Sequence, residues 1–94
     1  MEYYLGIDVG GTSIKGVLLA GLEKQEVKLI SVPTPVDREA MRRALASLAD
    51  ELREGKSLAG IGIGVPGMID RATGVIQKAP NVPYLDGWRI ADVF

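Results

Sequence analysis

The chain has no cysteine and no histidine. Without cysteine there is neither a disulfide framework nor a thiolate zinc site, and the redox compartment stays open. Without histidine, no imidazole within the chain can serve as general base or metal ligand. A basic excess is missing too. Eleven Lys and Arg stand against 12 Asp and Glu, a net charge of −1, which argues against nucleic-acid binding through this chain. No apolar run reaches the ~18–20 residues that a membrane-spanning helix needs. Met1-Glu2-Tyr3-Tyr4 does not begin a basic region followed by an apolar stretch, so no secretory signal is read. These absences lead to the expectation of a soluble, cytoplasmic protein with neither membrane nor nucleic acid as partner.

What is present fits an ordinary globular chain: 94 residues, 47% hydrophobic and 24% charged. That is one small domain or a piece of a larger one, burying only ~60–65% of its unfolded surface. Glycine is abundant, with 12 residues, mostly at strand ends, as at a ligand-facing sheet edge. The last residues, Trp88 to Phe94, read as the first turns of a helix without a C-cap signal. A fragment is expected.

Residues 2–9 form a nearly continuous apolar run, the pattern of a central strand covered on both faces. Residues 12–19 read as a second strand and 26–32 as a third. In the third, Val27, Leu29 and Ser31 alternate with Lys28 and Ile30, making it the most exposed. Pro33 and Pro35 stop it, since neither can donate to a ladder. A helix is predicted from Val36 or Asp37 to Glu54. Met41, Leu45, Leu48 and Leu52 form its apolar stripe with Ala44 and Ala49 beside them, while Arg38, Glu39, Arg42 and Arg43 fall on solvated faces. Thr34 or Asp37 caps its start, and Gly55 ends it in the left-handed conformation. In the fourth strand, Leu58 to Val65, glycine alternates with branched residues, so one face carries bulk and the other admits a close neighbour. Met68 to Gln77 reads as a short hairpin with Asp70 in its turn, and Pro80 and Pro83 pin the loop that follows. The order strand-strand-strand-helix-strand predicts an α/β fold. Strands 1-2-3 form an antiparallel meander, and a right-handed helical crossover returns strand 4 parallel to strand 1, giving the sheet order 3-2-1-4.

Three stretches look like nucleotide sites. Gly62-Ile63-Gly64-Val65-Pro66-Gly67 spells the letters of a dinucleotide fingerprint, but no helix opens at its third glycine to receive a pyrophosphate. Lys15 lacks the glycine frame and the following helix of a P-loop. Asp8-Val9-Gly10-Gly11-Thr12-Ser13-Ile14-Lys15 is different. A strand-end carboxylate suited to a hydrated metal stands beside the unshielded N–H groups of Gly10 and Gly11, the Thr12 hydroxyl and the Lys15 ammonium, which is equipment for a polyphosphate tail. The same spacing also describes a plain tight hairpin, with Gly10 and Gly11 supplying positive φ and Asp8 capping the turn.

Asp8 to Lys15 resembles the first phosphate motif of the actin/hexokinase/Hsp70 ATPase superfamily, in the form found in ROK-family sugar kinases and repressors. The resemblance continues through Gly62 to Asp70, Gly74-Val75-Ile76, Ala79-Pro80-Asn81 and Gly87-Trp88, so it covers essentially the whole chain. It implies a ribonuclease H-like (actin-like ATPase) fold, with residues 1–94 a partial N-terminal lobe and the C-terminal lobe absent. The implied activity is ATP-dependent phosphorylation of a hexose, glucokinase-like or on an N-acetylhexosamine, with ATP and Mg²⁺ as cofactors. In that scheme Asp8 holds Mg²⁺ through water, and Gly10, Gly11 and Thr12 lie along the β- and γ-phosphates with Lys15 adding charge. Pro66 and Gly67 line the sugar pocket, and Asn81 hydrogen-bonds the sugar or braces its loop. Trp88 stacks on a sugar ring or packs in the core. The base, an aspartate of an Asn-Asp pair, is expected beyond Phe94, which leaves this chain without a catalytic residue of its own and inactive when isolated.

Two other readings remain. One is the sugar-sensing part of a ROK transcriptional repressor, which carries a helix-turn-helix domain ahead of the first strand; Met1 close before that strand and the intact phosphate motif favour the kinase. The other is an inactive truncated lobe. Self-association or a homo-oligomer is expected in either case, because strand faces made for a missing lobe are exposed.

Overall fold

The computed structural model of the chain describes residues 1–65 and 67–94. The main sheet contains β1 (Tyr3–Val9), β2 (Ser13–Ala20), β3 (Gln25–Pro33) and β4 (Leu58–Gly64), with helix α1 (Arg38–Arg53) between β3 and β4. Across the sheet the order is β3-β2-β1-β4. The first three strands pair antiparallel, and β4 runs parallel to β1, which is the expected meander and crossover. A separate hairpin of β5 (Met68–Ile69) and β6 (Ile76–Lys78) follows.

Helix α1 begins where its sequence says it should. Asp37 is extended and its carboxylate accepts the Ala40 N–H at 2.7 Å, satisfying one of the orphan donors of the first turn. At the other end Glu54 and Gly55 are both left-handed, with φ of 50° and 78°. Met41, Leu45, Leu48, Ala49 and Leu52 are buried. They join Leu5, Ile7, Val9 and Ile14 of the sheet, and Ile76, Ala79, Val82, Leu85 and Ile90 of the C-terminal segment, in one core cluster. Burying a side chain of the Leu or Ile kind is worth about 1.5–3 kcal/mol, so the same core anchors the helix and the loop from Ala79 to Leu85.

Two expectations change, for β1 and for the chain's last turn, and the alternation in β3 is given its direction. Strand β1 is central but covered on one face: Leu5, Ile7 and Val9 are buried under α1, whereas Asp8 is exposed and Tyr4 and Gly6 are half-buried. Among the described residues a single long helix crosses the sheet, and nothing lies over the other face. In β3 it is Lys28, Ile30 and Val32 that turn toward the helix, while Val27 and Leu29 are each 54% exposed. The register explains this, because Leu29 lies opposite Val17 on the uncovered face. The terminal helix expected from Trp88 is a 3-10 turn at Ile90–Val93. Trp88 cannot begin a helix because its carbonyl accepts the Ile76 N–H at 2.8 Å, and Arg89 is bridged to Val75. No helix among the described residues is long and apolar enough to cross a membrane.

Candidate functional site

The parallel strands β1 and β4 end together, with Asp8 opposite Gly64. In α/β sheets the crevice beyond the carboxyl ends of parallel strands is where ligands bind. The Asp8 carboxylate lies over β4: its Oδ1 is 3.6 Å from where a β-carbon on Gly64 would sit. Asp8 and Lys15 are register partners on β1 and β2 and both line a groove of about 420 Å³, with Gly6, Gly62, Val17 and Leu29 among its other walls. Both are exposed. Neither takes part in an ion pair among the described residues, so both charges face outward. A second groove, about 340 Å³, lies between α1, β4 and the last residues, away from Asp8.

The turn between β1 and β2 is tight. The Gly10 N–H donates to the Ser13 carbonyl at 2.9 Å. That corrects one part of the sequence reading: the Gly10 amide is occupied by its own hairpin. Gly11 and Thr12 are exposed at the tip. The plain-hairpin reading also changes, because the glycines of positive φ are Gly21, Gly55, Gly74 and Gly87, not Gly10 or Gly11. Space, not φ, requires them. A β-carbon on Gly10 would lie 2.9 Å from the Ser13 carbonyl oxygen, and one on Gly11 would lie 3.0 Å from the Asn81 Cβ.

Asn81 reaches that position on a turn. Its neighbours Ala79 and Val82 are buried in the core, and the Val82 N–H donates to the Ala79 carbonyl at 3.0 Å, leaving exposed Asn81 at the tip. Of the two residues that end β4 in the sugar-side assignment, Pro66 lies outside the described residues. Gly67 meets the Asn81 segment: a β-carbon on it would fall 1.9 Å from the Lys78 carbonyl oxygen and 3.0 Å from the Ala79 Cα. A close backbone neighbour therefore accounts for glycine there. Asp70 is a turn residue, accepting the Ala72 N–H at 2.9 Å. Trp88 is half-buried against the core.

Two functional features were missed by sequence reasoning. Thr34, considered only as a cap, braces the β1–β2 hairpin instead: its hydroxyl donates to the Gly10 carbonyl at 2.7 Å and its N–H to the Thr12 carbonyl at 2.9 Å. Arg38, assigned to a solvated face, donates to the carbonyls of Tyr84 at 3.1 Å and Asp86 at 2.8 Å. A cation in the first turn of a helix opposes the helix dipole, and that misfit was the one available signal. Tyr84 donates its hydroxyl to the Pro35 carbonyl. Burial, with the Asp37 carboxylate adding to it, pushes the Tyr84 phenol up from its ordinary value and keeps it a donor.

Among the described residues no group of three or more carboxylates could hold a metal ion by itself. Asp8 offers one exposed carboxylate, and Mg²⁺ keeps several waters and takes one or two carboxylates together with phosphate oxygens.

The ROK family model matches residues 4–94. The glucokinase of Streptomyces coelicolor is 35% identical over 87 residues, 89% of this chain and 26% of that protein. The N-acetyl-D-glucosamine kinase of Escherichia coli is 39% identical over 87 residues, 89% of this chain and 28% of that protein. Among solved structures, a ROK family glucokinase from Streptomyces griseus, in complex with glucose and AMPPNP, superposes with a TM-score of 0.85 at 25% identity, covering 97% of this chain and 28% of that one. The chain therefore spans about a quarter of the length of the relatives it matches.

Proposed function

Because the chain belongs to the ROK family and has the mixed α/β sheet of that family's actin-like ATPase kinases, we propose that its parent protein transfers the terminal phosphoryl group of ATP to a hexose hydroxyl. In this reading residues 1–94 form part of the N-terminal lobe, holding the phosphates and one wall of the sugar pocket. The observation that carries it is the closeness of Gly11 to Asn81, where a β-carbon on Gly11 would lie 3.0 Å from the Asn81 Cβ. That contact sets the candidate phosphate turn directly against the candidate sugar turn.

Each group has a task within it. The Gly11 amide and the Thr12 amide and hydroxyl donate to phosphate oxygens, and Lys15 supplies positive charge from the adjacent strand; charge-assisted contacts of this kind are worth about 1.5–3 kcal/mol each. Gly10 contributes shape, since its amide already donates to Ser13. Asp8 would hold Mg²⁺ through water, and the ion when bound neutralises charge on the phosphates. Asn81 offers its amide to sugar hydroxyls from the turn tip. Gly67 lets the end of β4 close onto that turn. Phosphoryl transfer depends mostly on positioning and charge neutralisation, and these residues do that work. The carboxylate that accepts the hydroxyl proton is expected outside residues 1–94. Relatives named glucokinase and N-acetyl-D-glucosamine kinase support a hexose or N-acetylhexosamine as acceptor.

The test is product formation by the full-length protein with ATP, Mg²⁺ and a panel of glucose, mannose, N-acetylglucosamine and gluconate, with sugar phosphate followed directly. Phosphorylation of one of the three aldohexoses is expected; none with any of them would refute the reading.

A further inference from the structure

We propose that Arg38 is a positioning residue: together with Thr34 it forms a strut that holds the Asn81 turn in place against the phosphate hairpin. Its consequence for turnover rests on the hexose-kinase reading above, whereas the strut itself stands on geometry.

The segment from Pro33 to Arg38 runs between the two turns and is fastened to both. At one end Thr34 grips the hairpin through the Gly10 and Thr12 carbonyls, at 2.7 and 2.9 Å. At the other end the Pro35 carbonyl accepts the Tyr84 hydroxyl. Arg38 donates Nε to the Tyr84 carbonyl and Nη2 to the Asp86 carbonyl, with its guanidinium 5.5 Å from the Trp88 ring centroid. From there the path returns to the site. The Asp86 carboxylate accepts the Ala79 N–H at 2.8 Å, and Ala79 opens the turn that carries Asn81. The circuit closes where Asn81 meets Gly11.

The core anchors the loop through Ala79, Val82 and Leu85, but its exposed part, like connecting segments in general, is freer to move. Here a third segment, hydrogen-bonded to the hairpin and to the Tyr84–Asp86 backbone, adds to that core anchor in setting the separation of the two turns. The chemistry selects arginine for it. A planar guanidinium donates from two nitrogens in fixed directions while lying over an aromatic ring, whereas a lysine ammonium has a single donor nitrogen and cannot reach two carbonyls and the ring in that fixed geometry. Where catalysis comes from positioning, displacing a binding turn by an ångström can cost about 100-fold in rate.

The experiment uses the full-length protein with Arg38→Lys and Arg38→Ala, read by hydrogen–deuterium exchange and by steady-state kinetics with glucose and ATP. In Arg38→Lys the amides of residues 79–88 should exchange about tenfold faster than in the wild type while those of α1 stay unchanged. The sugar KM should rise about tenfold with the ATP KM within about twofold, since the hairpin is still held by Thr34. Unchanged exchange in residues 79–88 together with an unchanged sugar KM would overturn the strut. If Arg38→Ala loses protection throughout the protein, Arg38→Lys, which keeps the charge and the hydrocarbon stem, decides the matter. A wild type that phosphorylates no hexose would overturn the kinase reading alone, and the exchange measurement would still decide the strut.

Discussion

Gly11 and Asn81, 70 positions apart in the chain, are in contact. A β-carbon on Gly11 would lie 3.0 Å from the Asn81 Cβ and 3.6 Å from its Cγ. The hairpin tip and the Ala79–Val82 turn are thus packed closely enough to leave no free space for a side chain at position 11. Glycine at position 11 serves that approach as well as any phosphate.

Substitution should separate the two roles of the hairpin glycines. Gly11→Ala meets a side chain on an exposed turn that can give by a few tenths of an ångström, so its cost in stability should stay below about 1 kcal/mol. Turnover should suffer more, with kcat/KM for the sugar falling about tenfold. Gly10→Ala meets the Ser13 carbonyl oxygen at 2.9 Å, which cannot rotate away, and should cost about 1–3 kcal/mol. Thermal melts and sugar kinetics on the two variants check the contrast; wild-type kinetics in Gly11→Ala would show that the contact does not matter.

Gly67→Ala should be the more damaging change for folding. Its β-carbon would fall 1.9 Å from the Lys78 carbonyl oxygen and 2.9 Å from the carbonyl carbon. Both are backbone atoms, so the segments must part. A loss of about 1–3 kcal/mol or more is expected, read as a lower urea midpoint. A midpoint equal to that of the wild type would mean that the segments sit farther apart than described.

Lys28 and Glu54 tie β3 to the end of α1 at 2.8 Å. The Lys28 hydrogen bond, then its charge and that of Lys56, hold the Glu54 carboxyl below its ordinary 4.5. The same hydrogen bond is the largest cause of the rise of the Lys28 ammonium above 10.5. A lowered carboxyl stabilises above its unfolded pKa and loses that contribution as pH falls through the folded one; a raised ammonium stabilises below its unfolded pKa and loses it as pH rises through the folded one. The pair therefore contributes across the neutral range, weakly, because both groups are exposed. The Tm difference between wild type and Glu54→Gln should be measurable at about pH 7 and shrink away as pH falls below the ordinary carboxylate range. A difference independent of pH would rule out the ion pair as its source.

Much of the fold was legible because period and punctuation agreed. The stripe Met41, Leu45, Leu48 and Leu52 and the Asp37 cap fixed α1. A single helix between the third and fourth strands then forced the parallel return of β4. What could not be read is what depends on partners far along the chain. Thr34 binds a carbonyl 24 residues away and Arg38 one 48 residues away, and backbone carbonyls leave no mark in the sequence. Nor does an apolar strand announce which of its faces is covered, so β1 read as two-sided while Asp8 shares its exposed face. Asp8, Lys15 and Asn81 stood out by residue type and by the motifs around them. The contact of the Asn81 turn with the hairpin tip at Gly11, and the occupied amide of Gly10, required the turn geometry.

The most direct test of the central claim is the rate of hexose phosphorylation by the full-length Asp8→Ala protein. Asp8 is exposed and takes part in no ion pair among the described residues, so its removal should leave the melting temperature within about 2 °C of the wild type. If it holds Mg²⁺ beside the phosphates, turnover should fall by about 100-fold or more. Full turnover in a folded Asp8→Ala protein would contradict the assignment of this hairpin to phosphate and metal.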